Sequence, residues 1–272
     1  MYALVEKGKR KFCAGFLVVI LICILLKILF FSRQGIPVLN YHQINNLDHN
    51  ALTLSTSEFA AQMKDLAEEG YTTITPDQLL DNLQHETPLP EKPVLITFDD
   101  GYEDNYLNAY PILKQYKFNA TIFLISSLVN KYHYLSWQEI QEMKNNNILF
   151  EGHTFSHPHL NQVKDEKTLQ QELLDSREDL EKHLGYKIDY LAYPYGDYDQ
   201  HVISMVQEYG YRAAFTVHLG SDMDKDNPYT LNRVPIFQSQ THTFLRFWFS
   251  LHFPVFMNYI QTEKVNFSLL HI

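Results

Sequence analysis

The chain has 272 residues, of which 45% are hydrophobic and 20% are charged. This length and composition permit one large folded domain or two small ones, and they exclude a wholly disordered chain. The formal net charge of −10 argues against nucleic acid as a partner, because an acidic surface repels phosphate groups. The only two cysteines, Cys13 and Cys23, lie in an apolar run near the N-terminus, so we expect no disulfide framework.

The first 35 residues differ in character from the rest of the chain. They hold six of the 22 basic residues but one of the 32 acidic residues, which leaves 16 cations against 31 anions in the remainder. Residues 12–31 are apolar except for Lys27, and a run of about 20 residues can cross a bilayer core. Four cations precede this run, which predicts a transmembrane anchor with the N-terminus in the cytoplasm and the body outside. A cleaved signal peptide is the alternative, although no small-residue cleavage site follows the run.

From residue 36 onward, segments with strand and helix patterns alternate. Strands are predicted over residues 37–41, 93–98, 120–125, 190–193 and 213–217. Helices are predicted over residues 57–69, 76–83, 106–116, 136–145, 166–184 and 200–209, and residues 149–152 lead into a loop. The predicted helix caps are Ser57, Thr75 and Ser136, the last with Glu139 completing a capping box. The alternation indicates a parallel sheet covered by helices, as either a barrel or a doubly wound sheet.

The segment from residue 244 to 260 is rich in aromatic side chains. Arg246, His252 and Pro254 interrupt it, so it is a weak candidate for a membrane span. We expect a final helix packed on the domain. A membrane-surface element is the alternative, because aromatic residues favour the bilayer interface.

Two acidic side chains follow a continuous apolar strand. Asp99 and Asp100 come directly after residues 93–98, and the carboxyl ends of parallel strands are where β/α folds build their sites. Adjacent residues on a strand point to opposite faces, so the two carboxylates can serve different roles only if the strand ends there. Gly101 permits the required turn. On its own, such an acidic turn is as often structural as functional.

Two histidines four residues apart form a second candidate group. His153 and His157 can converge on one metal ion if the segment between them is helical or tightly turned. An isolated pair of histidines with this spacing is often merely exposed on the surface and binds no metal. Two imidazoles together with one carboxylate, however, leave coordination positions open on a divalent cation, which is typical of a hydrolytic site.

Two further segments are weaker signals on their own. Residues 192–197 follow a predicted strand and end in a glycine turn, where a backbone N–H can face a developing oxyanion. The same residues also fit an ordinary Pro-Gly turn. His42 ends the first strand, where a lone histidine is more often structural, and only the fold can bring it near Asp99.

Together, these segments resemble the motifs of the NodB-homology polysaccharide deacetylases, which remove N-acetyl groups from glycans. The motifs Thr97–Asp100 and His153–His157 carry the resemblance, which extends from about Pro37 to Phe237. It implies a distorted (β/α) barrel of about seven strands. With the anchor, the expected fold is an α/β barrel preceded by a transmembrane helix.

The resemblance also implies roles for individual residues. Asp99 matches the general base, and Tyr195 matches the residue whose backbone N–H helps to form the oxyanion hole. A divalent metal, with zinc expected, is implied at Asp100, His153 and His157. Acetate and a free glucosamine amine would be the products.

Two departures from the common pattern resemble one branch of the family. Many members carry, at the position of Ala192, an arginine that orients the base. No clear Leu-x-His motif closes the barrel, and His218 and His242 are weak candidates for it. Both departures resemble the intercellular adhesin deacetylases, which act on poly-β-1,6-N-acetyl-D-glucosamine in biofilm formation. In that branch a histidine of an N-terminal Tyr-His pair takes the acid role, which implies that His42 protonates the leaving amine.

The anchor and the resemblance together predict a metal-dependent N-deacetylase at the cell surface. We expect residues 1–35 to form a cytoplasmic tail and anchor, 36–240 the deacetylase domain, and 241–272 an aromatic-rich extension. The expected partners are an N-acetylglucosamine polymer, the membrane and, as a candidate, the exopolysaccharide synthesis machinery. Peptidoglycan and chitin oligomers are the alternative substrates. A non-catalytic glycan-binding surface protein and an export-machinery scaffold are alternatives of another class.

Overall fold

The computed structural model describes residues 35–220, 227–236 and 243–252. Its strands are β1 (Val38–Tyr41), β2 (Gln43–Ile44), β3 (Thr53–Leu54), β4 (Thr72–Thr73), β5 (Pro93–Phe98), β6 (Ala120–Leu124), β7 (Ile148–Gly152), β8 (Tyr190–Ala192), β9 (Ala213–Leu219) and β10 (Leu231–Pro235). Its α-helices are α1 (Thr56–Glu68), α2 (Pro76–His85), α3 (Tyr110–Tyr116), α4 (Trp137–Lys144), α5 (Glu166–Gln170), α6 (Ser176–Leu184), α7 (Gln200–Glu208) and α8 (Thr243–His252). A π-helical turn at Asn105–Ala109 leads into α3, and a second at Gln171–Asp175 joins α5 to α6.

The strands form a closed parallel barrel. β1 pairs with β10 on one side and with β5 on the other, and β5 to β10 pair in chain order between them. Seven strands therefore close the barrel, while β4 pairs with the first residues of β5 and β2 pairs with β3 in a separate sheet. The predicted barrel is confirmed, and the doubly wound alternative is excluded.

Most predicted elements match the structure to within two residues at each end. One predicted cap is wrong: the side chain of Ser55, not Ser57, accepts the N–H of Glu58 and caps α1. Ser55 has the extended backbone that a cap requires, whereas Ser57 already lies inside the first helical turn. Strands β7 and β10 were not predicted, and both prove to position the candidate site.

Side chains alternate between two buried clusters, one on each side of the barrel wall. Along β5, Leu95 belongs to an inner cluster with Phe123 and Phe215, whereas Ile96 and Phe98 join a larger cluster shared with the helices. Both faces of a parallel strand in a barrel are buried, and this explains why β5 is a continuous apolar run.

Helix α2 covers the end of the barrel at which the strands begin. Leu79, Leu80 and Leu83 join the inner cluster from this helix. Asp77 accepts a hydrogen bond of 2.7 Å from the hydroxyl of Tyr190, the first residue of β8. The apolar interior is therefore closed at this end, and the opposite end, where the strands finish, carries the polar side chains.

The last described helix packs on the first. In α8, Phe247 and Leu251 are buried, and His252 Nε2 lies 2.9 Å from the carboxylate of Glu69 beside α1. This packing agrees with the final helix expected from the sequence, and the remainder of the aromatic segment falls outside the described residues. Within the described ranges no helix has the length and apolar character needed to cross a bilayer, and the anchor predicted at residues 12–31 lies outside those ranges.

Ser55→Ala should lower the free energy of unfolding by about 0.5–2 kcal/mol, because the N–H of Glu58 loses its capping acceptor. Ser57→Ala is the matched control and should change that free energy by less than about 0.5 kcal/mol. Urea unfolding followed by circular dichroism measures both variants. Equal losses in the two would contradict the assignment of Ser55 as the cap.

Candidate active site

The turn after β5 separates the two adjacent carboxylates. The strand ends at Phe98, and Asp100 takes a left-handed backbone conformation with φ of 73°. Gly101 follows with φ of 76°, and a β-carbon there would lie 2.6 Å from Leu124 Cδ2, so the position admits only glycine without rearrangement. Because the chain reverses here, Asp99 and Asp100 have different neighbours although both are almost fully buried.

Asp100 meets both predicted histidines. Its Oδ1 lies 3.4 Å from His153 Nε2 and 3.4 Å from His157 Nε2. The three potential ligand atoms all lie within 4.8 Å of one another. His153 directly follows β7, and its Nδ1 lies 2.7 Å from the carbonyl oxygen of Ala192 at the end of β8. That hydrogen bond puts the proton on Nδ1 and leaves the Nε2 lone pair facing the carboxylate.

These three residues fit a divalent metal ion. Asp100 Oδ1 is buried, and in the described part of the chain it has no hydrogen-bond partner, an arrangement that is costly unless another group satisfies it. Two imidazole nitrogens and one carboxylate oxygen are a ligand set that holds zinc or a similar cation with positions left open. Burial and the neighbouring His153 lower the pKa of His157 to about 4, so its imidazole is neutral and able to coordinate near pH 7.

The structure pairs Asp99 with an arginine that the sequence analysis missed. Arg233, in the middle of β10, donates from both terminal nitrogens to the two carboxylate oxygens of Asp99, each at 2.7 Å. Arg233 is fully buried, and its Nε donates to the carbonyl oxygen of Thr216 on β9. Position 192 holds alanine, where many members of the family that the sequence resembles have an arginine that orients the base. Arg233 makes this kind of contact with Asp99 from a different strand. The local sequence, Leu-Asn-Arg-Val-Pro, gives no signal that would have indicated this role.

The arginine sets the protonation state of Asp99. Burial acts to raise the pKa of this carboxyl, but Arg233, together with His153, outweighs it and holds the pKa well below the ordinary value. Asp99 is therefore a carboxylate at any physiological pH, which is the form that accepts a proton. The bidentate pairing also fixes the orientation of the carboxylate, because a planar guanidinium matches it along two parallel bonds.

His42 lies beside Asp99 and follows β1. Its Nε2 is 3.9 Å from Asp99 Oδ2, and its side chain is 13% exposed. Burial lowers the pKa of His42, although the carboxylates of Asp99 and Asp100 act to raise it. Asn105, a buried residue of the first π-helical turn, holds the backbone at His42. Its side-chain amide donates a hydrogen bond of 2.8 Å to the His42 carbonyl oxygen. The fold thus brings together two residues that are far apart in sequence.

Tyr195 lies on the rim of the same site. It follows β8 in a tight turn with φ of 59°, and its ring is 53% exposed. The ring stacks on His159 with 3.9 Å between centroids and meets the edge of His157 at 4.6 Å. His159 in turn lies 2.5 Å from the carboxylate of Asp197. The turn predicted to supply an oxyanion donor therefore adjoins the Asp100–His153–His157 cluster.

Of the two weak candidates for a barrel-closing histidine, the one that the structure describes is not part of this cluster. His218 is exposed on β9 and packs against Tyr198 with 6.2 Å between ring centroids. His242 lies outside the described residues. The polar cluster at the barrel mouth is instead completed by Arg233.

Comparison with known proteins identifies the family. Residues 86–214 match the polysaccharide deacetylase family. YxkH of Bacillus subtilis (strain 168), whose name places it among the polysaccharide deacetylases, is 35% identical over 201 residues, which cover 74% of this chain and 71% of YxkH. The chain therefore belongs to the polysaccharide deacetylase family, and it is an enzyme of that hydrolytic class.

Two further proteins are similar to most of this chain. The poly-β-1,6-N-acetyl-D-glucosamine N-deacetylase of Staphylococcus aureus (strain MRSA252) is 26% identical over 249 residues, covering 82% of this chain and 86% of that enzyme. The structure of the Streptococcus pyogenes deacetylase PplD in complex with acetate superimposes with a TM-score of 0.71 at 29% identity. That match covers 75% of this chain and 93% of PplD.

Arg233→Met should destabilise the protein by about 3–5 kcal/mol near pH 7, because it leaves Asp99 as a buried charge without a partner. In the native protein the folded pKa of Asp99 is depressed, so the pair stabilises above the ordinary aspartate pKa of about 4 and is lost below it. The deficit of the variant in urea unfolding should therefore shrink as the pH falls below about 4.

The control for this measurement is the double variant Asp99→Asn with Arg233→Met, which removes both charges. It should recover part of the stability lost in the single variant, because neither charge is then buried alone. A single variant as stable as the native protein at pH 7 would contradict the buried ion pair.

Asp100→Asn should abolish binding of Zn²⁺ to metal-free protein, because the cluster loses its only negative ligand. The half-buried Asp197, which is not part of the cluster, offers a matched control, and Asp197→Asn should retain the native affinity. Isothermal titration of the metal-free proteins measures both, and unfolding curves of the same samples check that each is folded. Native affinity in Asp100→Asn would remove this carboxylate from the metal site.

Proposed function

We propose that this protein is a metal-dependent N-deacetylase that removes acetyl groups from poly-β-1,6-N-acetyl-D-glucosamine. The observation that carries the proposal is the meeting of Asp100, His153 and His157 within 4.8 Å beside an arginine-paired carboxylate. This arrangement places a metal-ligand set and a proton acceptor at the open end of one barrel. Metal-assisted amide hydrolysis uses both.

In the proposed mechanism, Asp99 is the general base. It takes a proton from the attacking water, and its ionised form is maintained by Arg233. A carboxylate with a low pKa is a weak base, so the attacking water must itself be acidified. A divalent cation held by Asp100, His153 and His157 would lower the pKa of that water to about 7 and polarise the acetamide carbonyl.

His42 is the proposed general acid. It donates a proton to the nitrogen of the leaving glucosamine as the amide C–N bond breaks. Burial lowers the pKa of His42, and the Asp99 carboxylate 3.9 Å away opposes that effect by favouring the imidazolium form that donates the proton. The two groups act on opposite sides of the same reaction, one removing a proton and the other supplying one.

Tyr195 is the proposed oxyanion donor. Its left-handed turn, one residue beyond Pro194, adjoins the metal-ligand cluster, and the backbone N–H would stabilise the charge that develops on the carbonyl oxygen. Removal of one such donor typically costs about 2.7–4 kcal/mol of transition-state stabilisation. Because the donor is a backbone N–H, it does not require the Tyr195 side chain, which can instead contact the substrate.

Stacked aromatic rings on both sides of the site support a sugar polymer as the substrate. Tyr195 stacks on His159, and Tyr102, next to the Asp100 turn, stacks on Tyr134 with 5.2 Å between centroids. Tyr102 directly follows the Asp100–Gly101 turn, and burial, together with the Asp100 carboxylate, raises the pKa of its hydroxyl. Aromatic faces of this kind pack against the apolar faces of sugar rings. The β-1,6 linkage is proposed from the named Staphylococcus aureus relative.

The proposed location is the outer surface of the cell membrane, as part of exopolysaccharide maturation for a biofilm. It rests on the apolar run at residues 12–31 and the cations before it. The proposed division keeps the deacetylase domain at residues 36–240 and the aromatic extension at 241–272. The synthesis machinery of the polymer is a proposed partner, because the acetylated chain must be delivered to the site.

The purified protein should release acetate from poly-β-1,6-N-acetyl-D-glucosamine faster than from peptidoglycan or chitin oligomers. Treatment with a chelator should abolish acetate release, and added Zn²⁺ or Co²⁺ should restore it. The reason is that Asp100, His153 and His157 can support the proposed reaction only with a cation bound. A coupled acetate assay on the three substrates makes the comparison. Faster release from peptidoglycan would overturn the proposed substrate, and release that survives full metal removal would overturn the proposed mechanism.

A further inference from the structure

The segment between the two candidate metal ligands has little regular structure to hold it. Residues 153–157 follow β7 as a loop, and Thr154 and His157 both have left-handed backbones, with φ of 65° and 64°. Such conformations are strained for residues other than glycine and persist only where the surroundings hold them. Within the loop, the backbone N–H of His157 donates to Thr154 Oγ1 at 3.0 Å, and the other side-chain contacts that hold the loop come from outside it.

One buried carboxylate makes most of the side-chain contacts to the middle of the loop. Glu172 Oε2 accepts the backbone N–H groups of Phe155 (2.9 Å) and Ser156 (2.8 Å). Its Oε1 accepts the hydroxyl of Ser156 at 2.5 Å. Glu172 is 3% exposed, and within the described ranges it forms no ion pair with a basic side chain. All of its identified hydrogen bonds are therefore directed at the segment that links His153 to His157.

The backbone around Glu172 is itself irregular. Glu172 lies in the π-helical turn Gln171–Asp175 between α5 and α6. A π turn is wider than an α-helical turn, and such turns are frequent at functional sites. The opposite side of the loop is held by backbone donors, since Ser126 and Ser127 donate to the carbonyl oxygens of Thr154 and Phe155, each at 3.1 Å. The loop is thus fixed between the end of β6 and the carboxylate of Glu172.

We infer that Glu172 is a positioning residue for the metal site. It holds the amides of Phe155 and Ser156, and so presents His157 Nε2 to Asp100 at the distance that shared coordination requires. It does not belong to the ligand cluster, and its action passes through the loop backbone. This inference rests on the proposed function, because it assigns to the residue a part in holding the metal of the deacetylase.

The test is metal affinity and amide exchange in a graded set of variants. Glu172→Ala removes all three hydrogen bonds and should weaken the binding of Co²⁺ to metal-free protein about 10–100-fold, the usual effect of losing an outer contact of a metal site. Glu172→Gln keeps an oxygen for the two N–H groups and an amide that can donate to Ser156 Oγ, so its affinity should lie within about 10-fold of native. Hydrogen exchange at Phe155 and Ser156 should accelerate in Glu172→Ala and change little in Glu172→Gln.

Glu139→Ala is the matched control, because Glu139 also accepts a backbone N–H and a serine hydroxyl, both from Ser136, at the start of α4. It should lower stability and leave Co²⁺ affinity unchanged. If Glu172→Ala fails to fold, Ser156→Ala removes a single contact and should weaken Co²⁺ binding by less than about 10-fold. Native Co²⁺ affinity in a folded Glu172→Ala or, where that variant does not fold, unchanged Co²⁺ affinity in Ser156→Ala would overturn the inference. These measurements need no glycan, so a wrong substrate assignment would leave them unaffected.

Discussion

The buried pair of Arg233 and Asp99 is the constraint on which the site depends. Its two members come from opposite parts of the chain, one from the last strand of the barrel and one from the turn after β5. Removing two charges from water is costly, and the attraction between them offsets that cost only if the geometry is good and every remaining donor is satisfied. Here the Nε of Arg233 bonds to Thr216, and both terminal nitrogens bond to Asp99. The pair can therefore form only in a closed barrel, which makes an ionised, oriented base a product of the complete fold.

Four non-glycine residues around the same site have a strained backbone conformation. Asp100, Thr154, His157 and Tyr195 all have positive φ. Each conformation of this kind costs on the order of 1–3 kcal/mol, so the site is a region where local preference opposes the native structure. The chain turns sharply at the ends of β5, β7 and β8, and these turns bring Asp100 to the two histidines after β7, with Tyr195 beside them on the rim. Buried polar side chains anchor the backbone nearby, since Glu172 bonds the loop after β7 and Asn105 bonds the His42 carbonyl after β1.

The sequence predicts much of this structure where local signals and tertiary needs agree. Strand β5 is a continuous apolar run because both of its faces are buried, and the capping box of Ser136 and Glu139 is visible as residue types at fixed spacing. The Asp and His motifs are recognisable because few other residue types can act as metal ligands at these positions and spacings. These features need no knowledge of distant contacts.

Other features could not be found in this way. Strand β10 reads Leu-Asn-Arg-Val-Pro, a composition that favours no strand on its own, and only the barrel gives Arg233 a partner to justify its burial. Glu172 lies in a long polar helix where a glutamate is ordinarily solvent-exposed, and its burial depends on a loop from elsewhere in the chain. The choice between Ser55 and Ser57 turned on one backbone conformation. In each case the deciding partner is distant or the difference in local preference is small.

The two π-helical turns have a consequence for how this fold can change over time. A π turn holds one residue more than the α-helical turn it replaces, and each added residue advances a regular helix by about 100°. On the helix that contains Glu172, Leu169 and Leu173 face the core before or within the turn, and Leu180 and Leu184 face it afterwards. Leu173 and Leu180 are seven residues apart, close to two helical turns, so the same helix turns its apolar stripe to the core and Glu172 to the loop between His153 and His157. An insertion or deletion in this turn would therefore disturb the core packing and the candidate metal-ligand loop together.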